Sequence, residues 1–361
     1  MRFILFFTIL SILCYSTYIR NDIWKDKEVF WRDCLKKSPK KARPYNNLAS
    51  ILIKKGRYRD AKKLLLVGMK IDPLDDRIVN NLGLIALREK DYKKASDMLL
   101  HALYLNPKNI KAMNNIGKLN LVKGNIEEAK RGYKRIINID PTFFEAYNNL
   151  GYIYMNQRDF NKAKLYFEKA LNINPLYQDA YYNLGLLYLS KKDYKNAVRY
   201  LDIAFKINSK KIEILYNKAL ALMFAKRLDE AEGCFKKLLL IKPNSFKYLK
   251  ATSLLYLTKK DFSKAIKYLR KTVKLKKDFY KGWYNLGYIN YIQKDYKEAK
   301  KAFETTISIK PDYAPAYYFL GMIYYKELNK DKAKVYFEKA SKFSSDKWIK
   351  DNSYKMLRSL K

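Results

Sequence analysis

Asparagine recurs at one fixed spacing. Asn47, Asn81, Asn115, Asn149, Asn183 and Asn217 stand 34 residues apart, and Asn285 continues the row two intervals on, with Ala251 and Phe319 as the interruptions. A side-chain amide carries two donors and an acceptor oxygen, so a regular row of amides suits the backbone of an extended chain without reading its side chains. The same row would also serve to hold one helix against the next, or would simply recur with a duplicated unit. Four residues before these places the charge changes in blocks: Arg43, Arg77 and Lys111 are basic, Glu145, Asp179 and Glu213 acidic, Lys247 and Lys281 basic again. A bound segment would need complementary charge blocks, whereas a solvated rim needs no ligand. The seven asparagines with Arg43, Arg77 and Lys111 are the expected binding set.

Other chemistries lack parts. Cys14, Cys34 and Cys234 are widely spaced and form no CxxC pair, so neither a disulfide framework nor a zinc site is indicated. The one histidine, His101, has no companion for a triad or metal site. No catalytic residue, metal ligand, cofactor or small-molecule substrate is expected, and the chain reads as a non-enzyme. Lys+Arg 75 against Asp+Glu 35 gives a formal charge of +40, which with 33 tyrosines raises nucleic acid as a ligand. Two points weigh against that reading. Arginine, the better phosphate fork, is scarce, and most tyrosines fall at core positions of the pattern described next.

Alanine marks the elements that must position the asparagines: Ala61, Ala95, Ala129, Ala163, Ala197, Ala231, Ala265, Ala299 and Ala333 share the 34-residue period without insertion. A period of this size means stacked supersecondary units with one continuous core. Nine units follow over 42–347: 42–75, 76–109, 110–143, 144–177, 178–211, 212–245, 246–279, 280–313 and 314–347. In the fourth, Tyr147, Leu150, Gly151 and Tyr154 form one stripe of a first helix, and Ala163, Phe167 and Ala170 one stripe of a second. Pro73, Pro107, Pro141, Pro175, Pro243 and Pro311 end units, because proline pushes its predecessor out of the helical region. Trp31, Cys34 and Pro39 fall in the same register, so 21–41 reads as half a unit, with Trp24 and Trp31 expected against the first full one. Residues 348–361 read as a capping helix that covers the last apolar face.

Tyr147-x-x-Leu150-Gly151-x-x-Tyr154 with Ala163, Phe167, Ala170 and Pro175 closely resembles the tetratricopeptide repeat. The resemblance implies an all-α fold, a right-handed α-solenoid superhelix whose first helices line a concave groove, and a scaffold that binds a peptide or protein there. It places the asparagine row, the sixth residue of each repeat, toward that groove, much like the asparagine ladder of the O-linked N-acetylglucosamine transferase family. Replacing Asn149 and Asn183 by Ala would then weaken capture with little effect on melting. The chaperone-type carboxylate clamp needs a lysine at the fifth position, which only Lys250 supplies, so chaperone tails are disfavoured. Ala219 and Ser253 replace the glycine, and Lys218 and Thr252 the leucine, so packing is expected to be least regular around 212–275.

Residues 1–20 carry an apolar run, 3–19, about as short as a membrane-spanning helix can be. It suits an anchor; Cys14 and Ser16 also suit a cleaved secretory signal, and a buried helix is a third reading. One N-terminal membrane segment with extracytoplasmic repeats is the expectation, although the basic residues after the run favour the cytosolic side by the positive-inside rule. The stretch from Arg20-Asn21-x-x-Trp24-Lys25-Asp26 to Pro44-Tyr45-Asn46-Asn47-Leu48 resembles the junction in the transmembrane and tetratricopeptide-repeat O-mannosyltransferase family. That family's catalytic acids lie in a membrane region this chain lacks, which implies as an alternative an accessory half that presents acceptor proteins to a membrane glycosyltransferase.

Overall fold

Punctuation at two points of each repeat sets the helix ends. Asp91, Asp159, Asp193, Asp261, Asp295 and Asn329 each accept, at 3.1 Å, the backbone N–H three residues on, capping the second helix of their repeats. The residue just before each cap turns through left-handed backbone: Gly56 and Gly124 at φ 78° and 84°, but Lys90, Arg158, Lys192, Lys226, Lys260, Lys294 and Leu328 elsewhere. At the other end, Asp72, Asn106, Asp140 and Asn174 accept the N–H two residues on, and the proline between bars further helix.

The computed structural model describes residues 24–360 together with Tyr15, Thr17 and Tyr18, so the apolar run 3–19 otherwise lies outside the described residues. Among the described residues there are twenty helices and no strand. Helix α1 (Lys27–Lys37) precedes nine pairs. These are α2 and α3 (Ala42–Lys54, Tyr58–Ile71), α4 and α5 (Asp76–Arg88, Tyr92–Leu105), α6 and α7 (Ile110–Lys123, Ile126–Ile139), and α8 and α9 (Phe144–Asn156, Phe160–Ile173). Then come α10 and α11 (Gln178–Ser190, Tyr194–Ile207), α12 and α13 (Ile212–Phe224, Leu228–Ile241), and α14 and α15 (Phe246–Thr258, Phe262–Leu275). The last are α16 and α17 (Tyr280–Ile292, Tyr296–Ile309), α18 and α19 (Ala314–Lys326, Lys330–Phe343), and the single α20 (Lys347–Ser359). None of the described helices is long and apolar enough to cross a membrane.

Shape complementarity holds each pair together. All nine alanines of the ladder are fully buried. A Cβ built on Gly151 would stand 2.6 Å from the Phe167 ring and 3.1 Å from the Ala163 carbonyl oxygen, so only glycine allows α8 to lie that close to α9. The pairs form an α-solenoid arrangement that divides into two compact units, residues 1–180 and 181–361.

In the first unit, Trp31 and Leu35 of α1 pack against a core of Leu48, Leu52, Leu65 and Ile78, whereas Trp24 is 60% exposed instead of joining that contact. Ion pairs reinforce the succession of repeats. Glu28 binds Lys55 (2.7 Å) and Arg57 (3.2 Å), and Lys62 binds Glu89 (2.7 Å). The second unit repeats the device with Lys259 on Glu232 (2.6 Å) and Lys300 on Glu327 (2.9 Å); these two pairs, Glu28–Lys55 and Lys62–Glu89 all join residues 27 apart, and Glu28–Arg57 joins residues 29 apart. At its end, Ile349, Met356 and Leu357 of α20 cover the Tyr317, Tyr318 and Phe337 cluster.

Candidate functional site

The asparagine row lies on the first helices, and in the first unit its amides are engaged by the structure itself. Asn81 donates its side-chain N–H to Asn46 Oδ1 (2.8 Å), Asn115 to Asn80 Oδ1 (2.9 Å) and Asn149 to Asn114 Oδ1 (2.9 Å). Each bond runs from the sixth position of one repeat to the fifth of the preceding one, 35 residues back. The acceptors Asn46, Asn80 and Asn114 are buried, as is Asn148. A buried amide oxygen without a donor is costly, so these rungs bind one repeat to the next. Asn47, in the first full repeat, is partly buried and accepts a long contact from Asn46 (3.5 Å).

The second unit modifies the pattern. Asn183 is buried, and Asn217 donates to Tyr182 Oη (2.8 Å), tyrosine standing where the earlier repeats have the fifth-position asparagine. The Asn285 side chain has no hydrogen-bond partner among the described residues: the preceding repeat offers Lys250 at the fifth position, a donor only, and Ala251 at the sixth. Around it lies a cleft of about 430 Å³ walled by α12, α14 and α16. Further along, Phe319 stacks on Phe303 (5.6 Å) and meets Tyr288 and Tyr291 edge-on, so an aromatic cluster ends the row.

The basic members of the expected set do not converge. Arg77 is held by Asp75 through two hydrogen bonds (2.7 and 2.9 Å). Burial pushes the Asp75 carboxyl up, but Arg77 outweighs it and the net shift is downward. Arg43 is exposed and lines a separate cleft beside Trp31, and Lys111 is exposed. Lys118, further along α6, is lowered from its ordinary range by burial and the neighbouring Arg88, while Glu145 and Asp179 act to raise it. In the first unit two acidic residues of the second position, Glu145 and Asp179, therefore act on Lys118 of their own chain.

Tyrosines are similarly occupied. Tyr154 stacks on Tyr166 (5.3 Å), Tyr188 on Tyr200 (5.3 Å), Tyr256 on Tyr268 (5.4 Å) and Tyr324 on Tyr336 (5.3 Å). Lysines sit over the rings: Lys130 and Lys162 over Tyr154, Lys264 over Tyr256, Lys300 and Lys332 over Tyr324. In the irregular stretch, Lys218 reaches Asp202 across the α12–α11 contact, and the Thr252 and Ser253 hydroxyls bond back to the Tyr248 and Lys250 carbonyls of their own helix. Among the described residues no group of three His, Cys, Asp or Glu side chains is placed to hold a metal ion.

Models described as "Tetratricopeptide repeat" match residues 42–73, 76–109, 144–175, 251–279 and 314–347, and also 166–199, 188–255 and 280–313; one described as "TPR repeat" matches 121–157. Together they span well over half of the chain. The chain belongs to the tetratricopeptide repeat (TPR) family. Two solved structures resemble this TPR chain in part. One is that of Pseudomonas aeruginosa PilF, 22% identical over 58% of this chain and 95% of that one, with a TM-score of 0.47. The other is PilW, a widely conserved type IV pilus biogenesis factor, 19% identical over 58% of this chain and 97% of that one, with a TM-score of 0.49. No curated protein matches the chain. The TPR matches begin at residue 42 and give no support to the O-mannosyltransferase resemblance of the junction before it.

Proposed function

We propose that this TPR chain is a non-catalytic scaffold that holds a protein segment against its first helices, and that residues 3–19 tether it to a membrane or direct its export. The observation that carries the first part is an exposed apolar side chain at the ninth position of a first helix in each unit: Tyr152 in one and Leu254 in the other. An exposed apolar group on the first helices of each unit suits a partner more than solvent.

Photocrosslinking tests this. A photoreactive residue at Tyr152 or Leu254 is expected to capture polypeptide in cells, whereas the same probe at Leu165 on α9 or Leu240 on α13, still more exposed on second helices, is not. Equal capture from both faces removes the reading. Protease protection with N-terminal sequencing distinguishes a tether from a cleaved signal and gives the side of the membrane.

A further inference from the structure

Resting on the groove reading, we infer that the cleft between α12, α14 and α16 is a recognition pocket for an acidic polypeptide segment, taking a bulky apolar side chain flanked by Asp or Glu. Its origin is legible residue by residue. Ala251 replaces the asparagine that elsewhere bridges first helices, so no amide spans from α14 to α12 where the cleft of about 430 Å³ lies. The floor is apolar, with Ala251, Leu220 and Leu254, and the Phe246 and Phe279 rings meet edge-to-face at 5.2 Å to form a wall.

The rim is uniformly cationic. Lys247, Lys250 and Lys281 line the cleft and no carboxylate does. Lys247 Nζ lies 3.9 Å from the centre of the Tyr216 ring and Lys250 Nζ 5.4 Å from that of Phe279, so aromatic faces stand where counter-ions would. Three lysines elsewhere in this unit meet carboxylates across helices instead: Lys218 has Asp202, Lys259 has Glu232 and Lys300 has Glu327. Three cations gathered without an anion attract an acidic ligand, and the apolar floor asks for more than a phosphate. Asn285, whose amide makes no bond among the described residues, sits in the same lining with donors for a backbone carbonyl.

The test is fluorescence anisotropy on the full chain with a short labelled peptide alternating Glu with Leu and Phe, its Gln counterpart, and a single-stranded oligonucleotide. The acidic peptide is expected to bind, and the Gln counterpart about tenfold or more weaker. Lys250→Glu and Ala251→Asn should each abolish that difference. Ala251→Asn restores in the cleft the amide that other repeats carry, at the position from which Asn217 reaches Tyr182, and so suits the fold. Lys93→Glu, on an exposed lysine of α5, should leave binding unchanged. Loss with Lys93→Glu equal to that with Lys250→Glu, or displacement of the peptide by the oligonucleotide at matched concentration, overturns the inference. Binding untouched by Lys250→Glu and Ala251→Asn but captured by the probe at Tyr152 removes this pocket and leaves the groove reading standing. Absence of capture from any first-helix probe removes both.

Discussion

At the scale of single residues, seven asparagines in one column have different duties. Asn149 supplies the only side-chain donor shown for buried Asn114 Oδ1, so the near-neutral effect on melting expected from the sequence is corrected: Asn149→Ala is expected to cost about 1–3 kcal/mol and lower the melting temperature. Asn285→Ala breaks no bond among the described residues and should leave melting unchanged; calorimetry of the two variants side by side checks this, and equal Tm values would refute it. The column itself was legible in the sequence because it keeps the 34-residue period. Its occupation was not, because the bonds join neighbouring columns at 35 residues, and Asn46, Asn80 and Asn114 attract notice in the sequence only for failing to be lysine. The unengaged Asn285 was hidden for the same reason: its freedom depends on Lys250 one repeat earlier.

At the scale of elements, carboxylates decide how neighbouring helices respond to acid. Hydrogen bonds from Lys55 and Arg32 hold the Glu28 carboxyl at about 2, and those from Lys236 and Lys259 hold Glu232 at about 2, against a usual 4.5. Both titrate lower folded than unfolded, so the stability they add is complete above about pH 4.5 and drains away as the pH falls toward 2. Glu28→Gln with Glu232→Gln is expected to destabilise the chain at pH 7 and to flatten its loss of stability between pH 5 and 3, measured by circular dichroism melts. An unchanged acid slope would show that these pairs do not couple α1 to α2 or α13 to α14. Helix ends were readable from the sequence, since prolines and the alanine ladder mark them. The caps at Asp91 and its equivalents, and the lysines that accept left-handed backbone beside them, emerge only from the geometry of the turn.

At the scale of the whole chain, a formal charge of +40 is distributed rather than gathered. Lysines of second helices lie over stacked tyrosines of first helices, others meet carboxylates between repeats, and three line the cleft beside Ala251 without a carboxylate. That cleft was foreshadowed in the sequence as irregular packing around 212–275, but irregularity alone does not say whether a side chain fills a gap or leaves one. The ion pairs between successive repeats carry a consequence for how such an array changes length. Excising 42–75 keeps the 34-residue register yet moves Glu89 and Asp91 into the places of Lys55 and Arg57, opposite Glu28; excising 76–109 moves Lys123 into the place of Glu89, opposite Lys62. A chain lacking 42–75 is expected to melt lower than the same chain with Glu89→Lys, by about a few tenths of a kcal/mol per repelling pair. The alternating signs act as a parity check on copying: near its amino-terminal end the array penalises losing one unit at a time, however alike the units are in shape.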